Sequence, residues 1–178
     1  MPTPIGHTFL GLATIAIASK RGEKPLIMGN LKLSAFCVIM AGLPDIDFIQ
    51  WDGAGIIITG LYHHGITHSI GFALMVSALA ALVAKLVKRG DWLWFGGLTL
   101  ALVMSHVIAD IFMIDGYPQN GVGIPLLWPI SDAYYIVPLI PGMDRSNIFS
   151  MASVLGLLLE IFIFGGIFVG VYIARNKM

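Results

Sequence analysis

The stretch Trp92–Ile114, WLWFGGLTLALVMSHVIADIFMI, carries no charged residue before Asp110. About 20 predominantly apolar residues cross the hydrocarbon core of a bilayer, so this run predicts a transmembrane helix. At about 1.5 Å per residue, His106 lies roughly 21 Å along it from Trp92 and Asp110 roughly 27 Å. In a core about 30 Å thick both fall in the same outer third. Their spacing of four residues puts the two side chains on one face of the helix. Ionisable groups in a membrane span are costly and mark functional positions by default.

The rest of the chain supports a membrane reading. It has 178 residues, 57% apolar and only 11% charged, with a mean hydropathy of +0.88. Soluble domains carry roughly 25% charged residues, so charges to coat a water-facing surface are missing. The length suits one domain, residues 1–178. Net charge is zero and no basic block occurs, which argues against nucleic acid as a partner. Cys37 is the only cysteine, which excludes an intramolecular disulfide and a cysteine zinc motif. No lysine or arginine precedes the first apolar run, which argues against a cleaved signal peptide. Besides 92–114, apolar runs at about 5–19, 25–43, 66–87 and 148–174 predict four more spans. Pro25 is well placed at a helix start, and Pro44 disfavours helical geometry at Leu43. The expected fold is an all-α integral membrane protein of about five transmembrane helices.

Orientation follows from the bias of basic residues toward cytoplasmic loops. Lys20, Arg21, Lys24 and Lys32 lie at the first connection, Lys85, Lys88 and Arg89 at the third, and Arg175 and Lys177 at the C-terminus. The second connection has no basic residue and the fourth only Arg145. Five spans put these two sets on opposite sides, with the N-terminus outside and the C-terminus cytoplasmic. The fourth connection, residues 115–147, is a long outer loop rich in Pro and Gly, with Trp128, Tyr134 and Tyr135. Such loops tend to be functional, and Trp and Tyr favour the headgroup level.

All five histidines fall in three places: His7 near the start of the first span, His63, His64 and His68 at the outer start of the third, and His106 on the fourth. The outer end of the second span adds Leu43-Pro44-Asp45-Ile46-Asp47. Four helices thus deliver imidazole and carboxylate to one layer. Singly, each residue reads equally well as a cap or a hydrogen-bonded packing residue. Jointly, a metal explains why these two types cluster, because imidazole and carboxylate suit zinc, manganese or iron. The candidate ligands are His7, Asp45, Asp47, His63, His68, His106 and Asp110, with His64 as the alternative to His63. So many donors fit two ions better than one. A proton relay of His and Asp is the competing explanation. Glu160 sits midway along the last span, deeper than this layer, as a functional carboxylate or a protonated acid bonded to a neighbouring helix.

These pieces in this order resemble the membrane-bound, metal-dependent hydrolases known in bacteria as LexA-regulated inner-membrane proteins. The matching segments are His7, Leu43 to Asp47, His63 to Ser69, His106 to Asp110, and Leu127-Trp128-Pro129-Ile130-Ser131 beyond a glycine-containing loop. The family usually has arginine where this chain has His64. The order of histidines and aspartates is also distantly similar to zinc-dependent phospholipase C. That resemblance casts His7, an aspartate of the Asp45–Asp47 pair, His68, His106 and Asp110 as metal ligands. Its later histidine and glutamate ligands have no counterpart, since no histidine follows His106.

The resemblance implies a hydrolase of the inner membrane whose site faces the extracytoplasmic side. Its substrate would be a phosphoester of a membrane lipid or lipid-linked molecule. Divalent metal is the expected cofactor, as two ions with zinc favoured. Asp45, as a member of the acidic pair, would take the proton of water, His64 would protonate the leaving group, and Trp128 would guide the substrate. The alternative is a non-enzymatic membrane metal-binding or transport protein using the same cluster. A scaffold reading leaves the cluster unexplained, and oligomeric state is not legible.

Overall fold

A computed structural model describes residues 3–18, 31–51, 53, 55–58, 63–114, 123–142, 147 and 149–176. Among them are six α-helices: α1 (Pro4–Ala18), α2 (Leu31–Ala41), α3 (Ile70–Leu86), α4 (Trp92–Phe112), α5 (Met151–Glu160) and α6 (Gly166–Asn176). A π-helical turn, Ile161–Gly165, joins α5 to α6, so Met151–Arg175 runs on as one apolar helix of 25 residues. That helix and the 21-residue α4 are long and apolar enough to cross a membrane, whereas α1, α2 and α3 are apolar but shorter. The expected start of the second span at Pro25 lies outside the described residues. So do 115–122 and 143–146 of the long loop.

The helices assemble around α1, which packs against α2, α4 and α6, while α3 and α4 form a hairpin. Small residues allow the close approaches, as is usual between helices in lipid. A Cβ on Gly11 would come within 2.9 Å of the Ala41 methyl, and one on Gly96 within 2.9 Å of the Ala81 methyl. Ile15, Cys37, Ala41, Leu98 and Leu102 form the buried apolar core. Leu79, Leu82 and Val83 on α3 and Leu155, Leu158 and Phe162 on the last helix face outward. An apolar surface of this kind is a liability in water and the expected surface in lipid.

Two 3-10 turns, Leu43–Phe48 and Ile66–His68, carry the chain at the ends of α2 and α3. The expected third span begins at residue 66, but the α-helix proper starts at Ile70. Ser69 is extended there and its hydroxyl accepts from the Phe72 N–H, which caps the helix. Between the turns lies a short antiparallel hairpin, β1 (Ile49–Trp51) with β2 (Ile56–Ile58). The sequence reading assigned no regular structure there, although the β-branched run Ile56-Ile57-Ile58 favours a strand.

The described part of the long loop, residues 123–142, closes the helix ends above the cluster. The Leu126 and Trp128 carbonyls accept from the Ile70 and Gly71 N–H groups at 2.9 and 3.1 Å, at the start of α3. Val137, Leu139 and Ile140 donate to the Ile111 and Phe112 carbonyls at the end of α4. Helix termini leave such groups without intrahelical partners, and in a bilayer they must be satisfied within the protein.

Candidate metal centre

Every histidine and aspartate of the expected cluster arrives in one place. His7 comes from the first turn of α1, Asp45 and Asp47 from the 3-10 turn after α2, and His106 and Asp110 from α4. His63, His64 and His68 come from the chain entering α3. His64 adopts a left-handed φ of 67°, uncommon for a residue with a side chain and frequent at functional sites. All five imidazoles and Asp110 are buried.

Three imidazoles face one carboxylate oxygen. The Nε2 atoms of His63, His68 and His106 lie 3.6, 3.7 and 3.5 Å from Asp45 Oδ1. Their other nitrogens are held from behind. His63 Nδ1 is 2.6 Å from Asp47 Oδ1, His68 Nδ1 is 3.2 Å from Asp47 Oδ2, and His106 Nδ1 is 2.7 Å from the Ala41 carbonyl. Carboxylate and carbonyl oxygens only accept, so each Nδ1 carries a proton, and in the neutral ring each Nε2 presents a lone pair inward. His106 Nε2 and His68 Nε2 oppose each other at 3.2 Å, an arrangement that repels unless the two share a metal ion or a proton. A buttressed Nδ1–H with an inward Nε2 is how metal-binding histidines are held.

Asp110 ties this group to a second one. Its Oδ2 lies 3.0 Å from His106 Nε2 and 3.4 Å from His68 Nε2, while its Oδ1 lies 4.0 Å from His7 Nε2 and 3.9 Å from His64 Nε2. The latter distances are too long for hydrogen bonds. The His7 ring stacks on His106, with centroids 3.5 Å apart. Both ring nitrogens of His7, Asp45 Oδ1 and both oxygens of Asp110 are buried without a hydrogen-bond partner among the described residues. Buried polar atoms normally have partners, so a converging set of orphaned donors fits a divalent ion. Three overlapping triads bring their donor atoms within 4.8 Å of one another: His63, His64 and His68; His7, Asp45 and His106; and His68, His106 and Asp110.

Ligation requires neutral imidazole and ionised carboxylate, and His63 and Asp47, outside the spans, are held in those forms. Burial pushes the His63 imidazole down to about 4, against the opposing effect of the Asp47 hydrogen bond. Burial disfavours the charged forms of Asp45 and Asp47. Hydrogen bonds from the His63 and His68 Nδ1–H groups nevertheless hold Asp47 well below the usual carboxylate range.

Geometry also separates roles that the sequence merged. Asp47, expected among the ligands, has both oxygens turned to Nδ1 atoms and accepts further from the Gly65 N–H at 3.2 Å and the Thr67 hydroxyl at 3.0 Å. Thr67, also 3.1 Å from His68 Nδ1, and the Ala41 carbonyl belong to the site but were missed. Thr67 sits inside the quoted histidine stretch. Ala41 ends α2, where a carbonyl free to accept from outside the helix is expected. Phe48, stacked on the His63 ring at 4.0 Å, was also passed over. What places Trp128 is its main chain, through Gly71 at the start of α3. The Glu160 carboxylate, expected deeper than the cluster, lies beside the first turn of α1, the turn that carries His7.

Comparison with known proteins agrees with this picture of a membrane protein. Inner membrane protein YbcI of Escherichia coli (strain K12) is 26% identical over 140 residues, which cover 78% of this chain and 73% of that protein. No solved structure matches the chain. Residues 1–177 match the family described as YdjM inner membrane protein, and the chain, an inner membrane protein with apolar helices of spanning length, belongs to that family.

Proposed function

We propose that the chain is a metal-dependent hydrolase of the inner membrane, acting at the extracytoplasmic face on a phosphoester of a lipid or lipid-linked molecule. One observation carries the metal: three Nε2 atoms face one oxygen of Asp45 at 3.5–3.7 Å, with every Nδ1 held elsewhere. His63, His68, His106 and Asp45 would hold one ion, and His7, His64 and Asp110 a second, with Asp110 facing both. Zinc is favoured by the imidazole-rich set, and manganese or iron suit it next. A divalent ion bound there lowers the pKa of water toward roughly 7 and offsets charge developing on a phosphoryl oxygen.

The protein's own groups do the rest. Asp45 has one oxygen buried against the imidazoles while its side chain is partly exposed, so it can take a proton from water at the mouth of the site. Asp47, Thr67 and the Ala41 carbonyl fix the tautomers of His63, His68 and His106. His64, buried and facing Asp110, suits ligation better than the expected protonation of a leaving group. The loop through Trp128, tied to the start of α3, would exclude water or guide the lipid. Five spans with the N-terminus outside, supported by the distribution of basic residues, set the cluster beneath the outer headgroups, the level of a lipid phosphoester.

A transporter built on the same cluster needs a polar route to the inner side. Ile15, Leu98, Leu102 and Val103 fill most of the buried space on α1 and α4 below it, with Thr99 and, on α2, Ser34 the buried polar residues there. The hydrolase reading is tested with purified protein in proteoliposomes carrying a phosphomonoester or phosphodiester lipid. Release of phosphate or headgroup should require the outer-facing site, stop with chelator, return with zinc and vanish in Asp110→Ala. Chelator-resistant hydrolysis, or none on either lipid class, would overturn it.

A further inference from the structure

Glu160 stands outside the cluster, yet it is buried, and among the described residues its hydrogen bonds all go to one place. Its Oε1 accepts from the Thr3 N–H at 2.6 Å, the Thr3 hydroxyl at 2.7 Å and the Gly6 N–H at 3.0 Å. These are the groups at the start of α1. The orphan donors of that helix end are thereby accounted for completely. Pro4 has no N–H, Ile5 donates to the Thr3 hydroxyl at 3.3 Å, Gly6 donates to Glu160, and His7 donates to the Thr3 carbonyl at 3.3 Å. A carboxylate suits this position, because a helix N-terminus carries partial positive charge.

The fit is steric as well as electrostatic. A Cβ on Gly6 would fall 2.3 Å from Glu160 Oε1 and 3.0 Å from a ring carbon of Phe164. Glycine is therefore what lets the carboxylate reach the helix. The π-helical turn Ile161–Gly165 begins directly after Glu160, and π turns change the facing of a helix within one turn and recur at functional sites. At the other end of α1, Arg175 donates to the Ala16 and Ile17 carbonyls. The last helix thus grips α1 at both ends. The next residue after Gly6 is His7, whose imidazole faces Asp110 Oδ1 and stacks on His106.

We infer that Glu160 is a positioning residue for the metal centre: by holding the first turn of α1 through Thr3 and Gly6, it sets His7 at Asp110. This rests on the metal reading above, and α1 is well suited to need such a clamp. Its buried N-terminal end takes its hydrogen-bond partners from the neighbouring helix.

The test is a cobalt(II) titration of the full-length protein in detergent, followed by visible absorption, with zinc competition to obtain affinities. Glu160→Ala should weaken the more loosely held ion about 10–100-fold, as loss of outer support does, and change the cobalt spectrum as His7→Ala does. Glu160→Gln, which keeps an acceptor oxygen, should recover most of the affinity. Gly6→Ala should reproduce the Glu160→Ala defect in the native background and add little to it when both substitutions are present. That pattern holds even if Glu160→Ala itself folds poorly, since Gly6→Ala and Glu160→Gln report independently. If His7→Ala alters cobalt binding while Glu160→Ala and Gly6→Ala match the native protein, the positioning role is wrong and the metal centre stands. If the native protein binds no cobalt, the metal reading fails and the positioning role fails with it.

Discussion

Replacing Asp47 by asparagine changes one atom and should disable the centre without removing a ligand. Asp47 receives His63 Nδ1 at 2.6 Å and the Thr67 hydroxyl at 3.0 Å. His68 Nδ1 and the Gly65 N–H approach it at 3.2 Å each. An amide keeps one acceptor and turns an NH2 toward the other side. If the oxygen stays on His63, the NH2 confronts His68 Nδ1, Thr67 and Gly65, which all offered hydrogens to the carboxylate. His68 must then turn its Nδ1–H to the Thr67 hydroxyl, 3.1 Å away, or move its proton to Nε2, which removes the lone pair aimed at Asp45. Loss of outer support lowers metal affinity about 10–100-fold, or about 1.4–2.8 kcal/mol at about 1.4 kcal/mol per decade. The half-buried Gly65 N–H loses its acceptor as well, at a cost below the roughly 1–3 kcal/mol of a fully buried donor. Competition with a chromophoric chelator should show reduced affinity at unchanged stoichiometry in Asp47→Asn, whereas Asp45→Asn should lose bound ion outright. Native affinity in Asp47→Asn would refute the assignment of Asp47 as orienter, and lost stoichiometry would make it a ligand.

Three further outcomes follow from the same geometry. His64→Ala should lose the ion placed at His7 and Asp110 and keep the other, read as metal per chain; full metal with abolished turnover would instead restore the leaving-group role expected from sequence. In metal-free protein the His63 ring should stay neutral down to about pH 4, because burial lowers its pKa from 6.5; its protonated form then gains population only below that pH, and a ring titrating near 6.5 by NMR would contradict the packing around it. Cysteines introduced at Gly55 and Gly123 should be labelled from outside and those at Glu23 and Lys177 from the cytoplasm. A cytoplasmic Gly55→Cys would reject both the five-span topology and the outward-facing site.

The membrane character and the membership of the cluster were legible because each rests on a local pattern. An uncharged run with His106 and Asp110 four apart fixes a face and a depth, and the stretches around Asp45 and His68 repeat the depth from other helices. The division of labour inside the cluster was not legible. Asp45 and Asp47 are two residues apart and chemically identical, and only tertiary geometry shows that one meets Nε2 atoms and the other Nδ1 atoms. The Ala41 carbonyl has no side-chain signature at all. His64 and His63 likewise look interchangeable until the left-handed turn at His64 sends the two rings to different carboxylates. Glu160 was noticed for its place in an apolar span, but its partners lie about 157 residues away in sequence, and spacing carries no trace of that contact.

Elemental analysis of the purified, detergent-solubilised protein tests the central claim most directly. The native chain should carry on the order of one to two divalent ions, zinc foremost, as a one- or two-metal hydrolytic site requires. His106→Ala and Asp110→Ala should each lose bound metal, while Lys85→Ala, on the exposed end of α3, should keep it. Metal-free native protein, or a metal content unchanged in the His106 and Asp110 variants, would contradict a metal centre at this cluster.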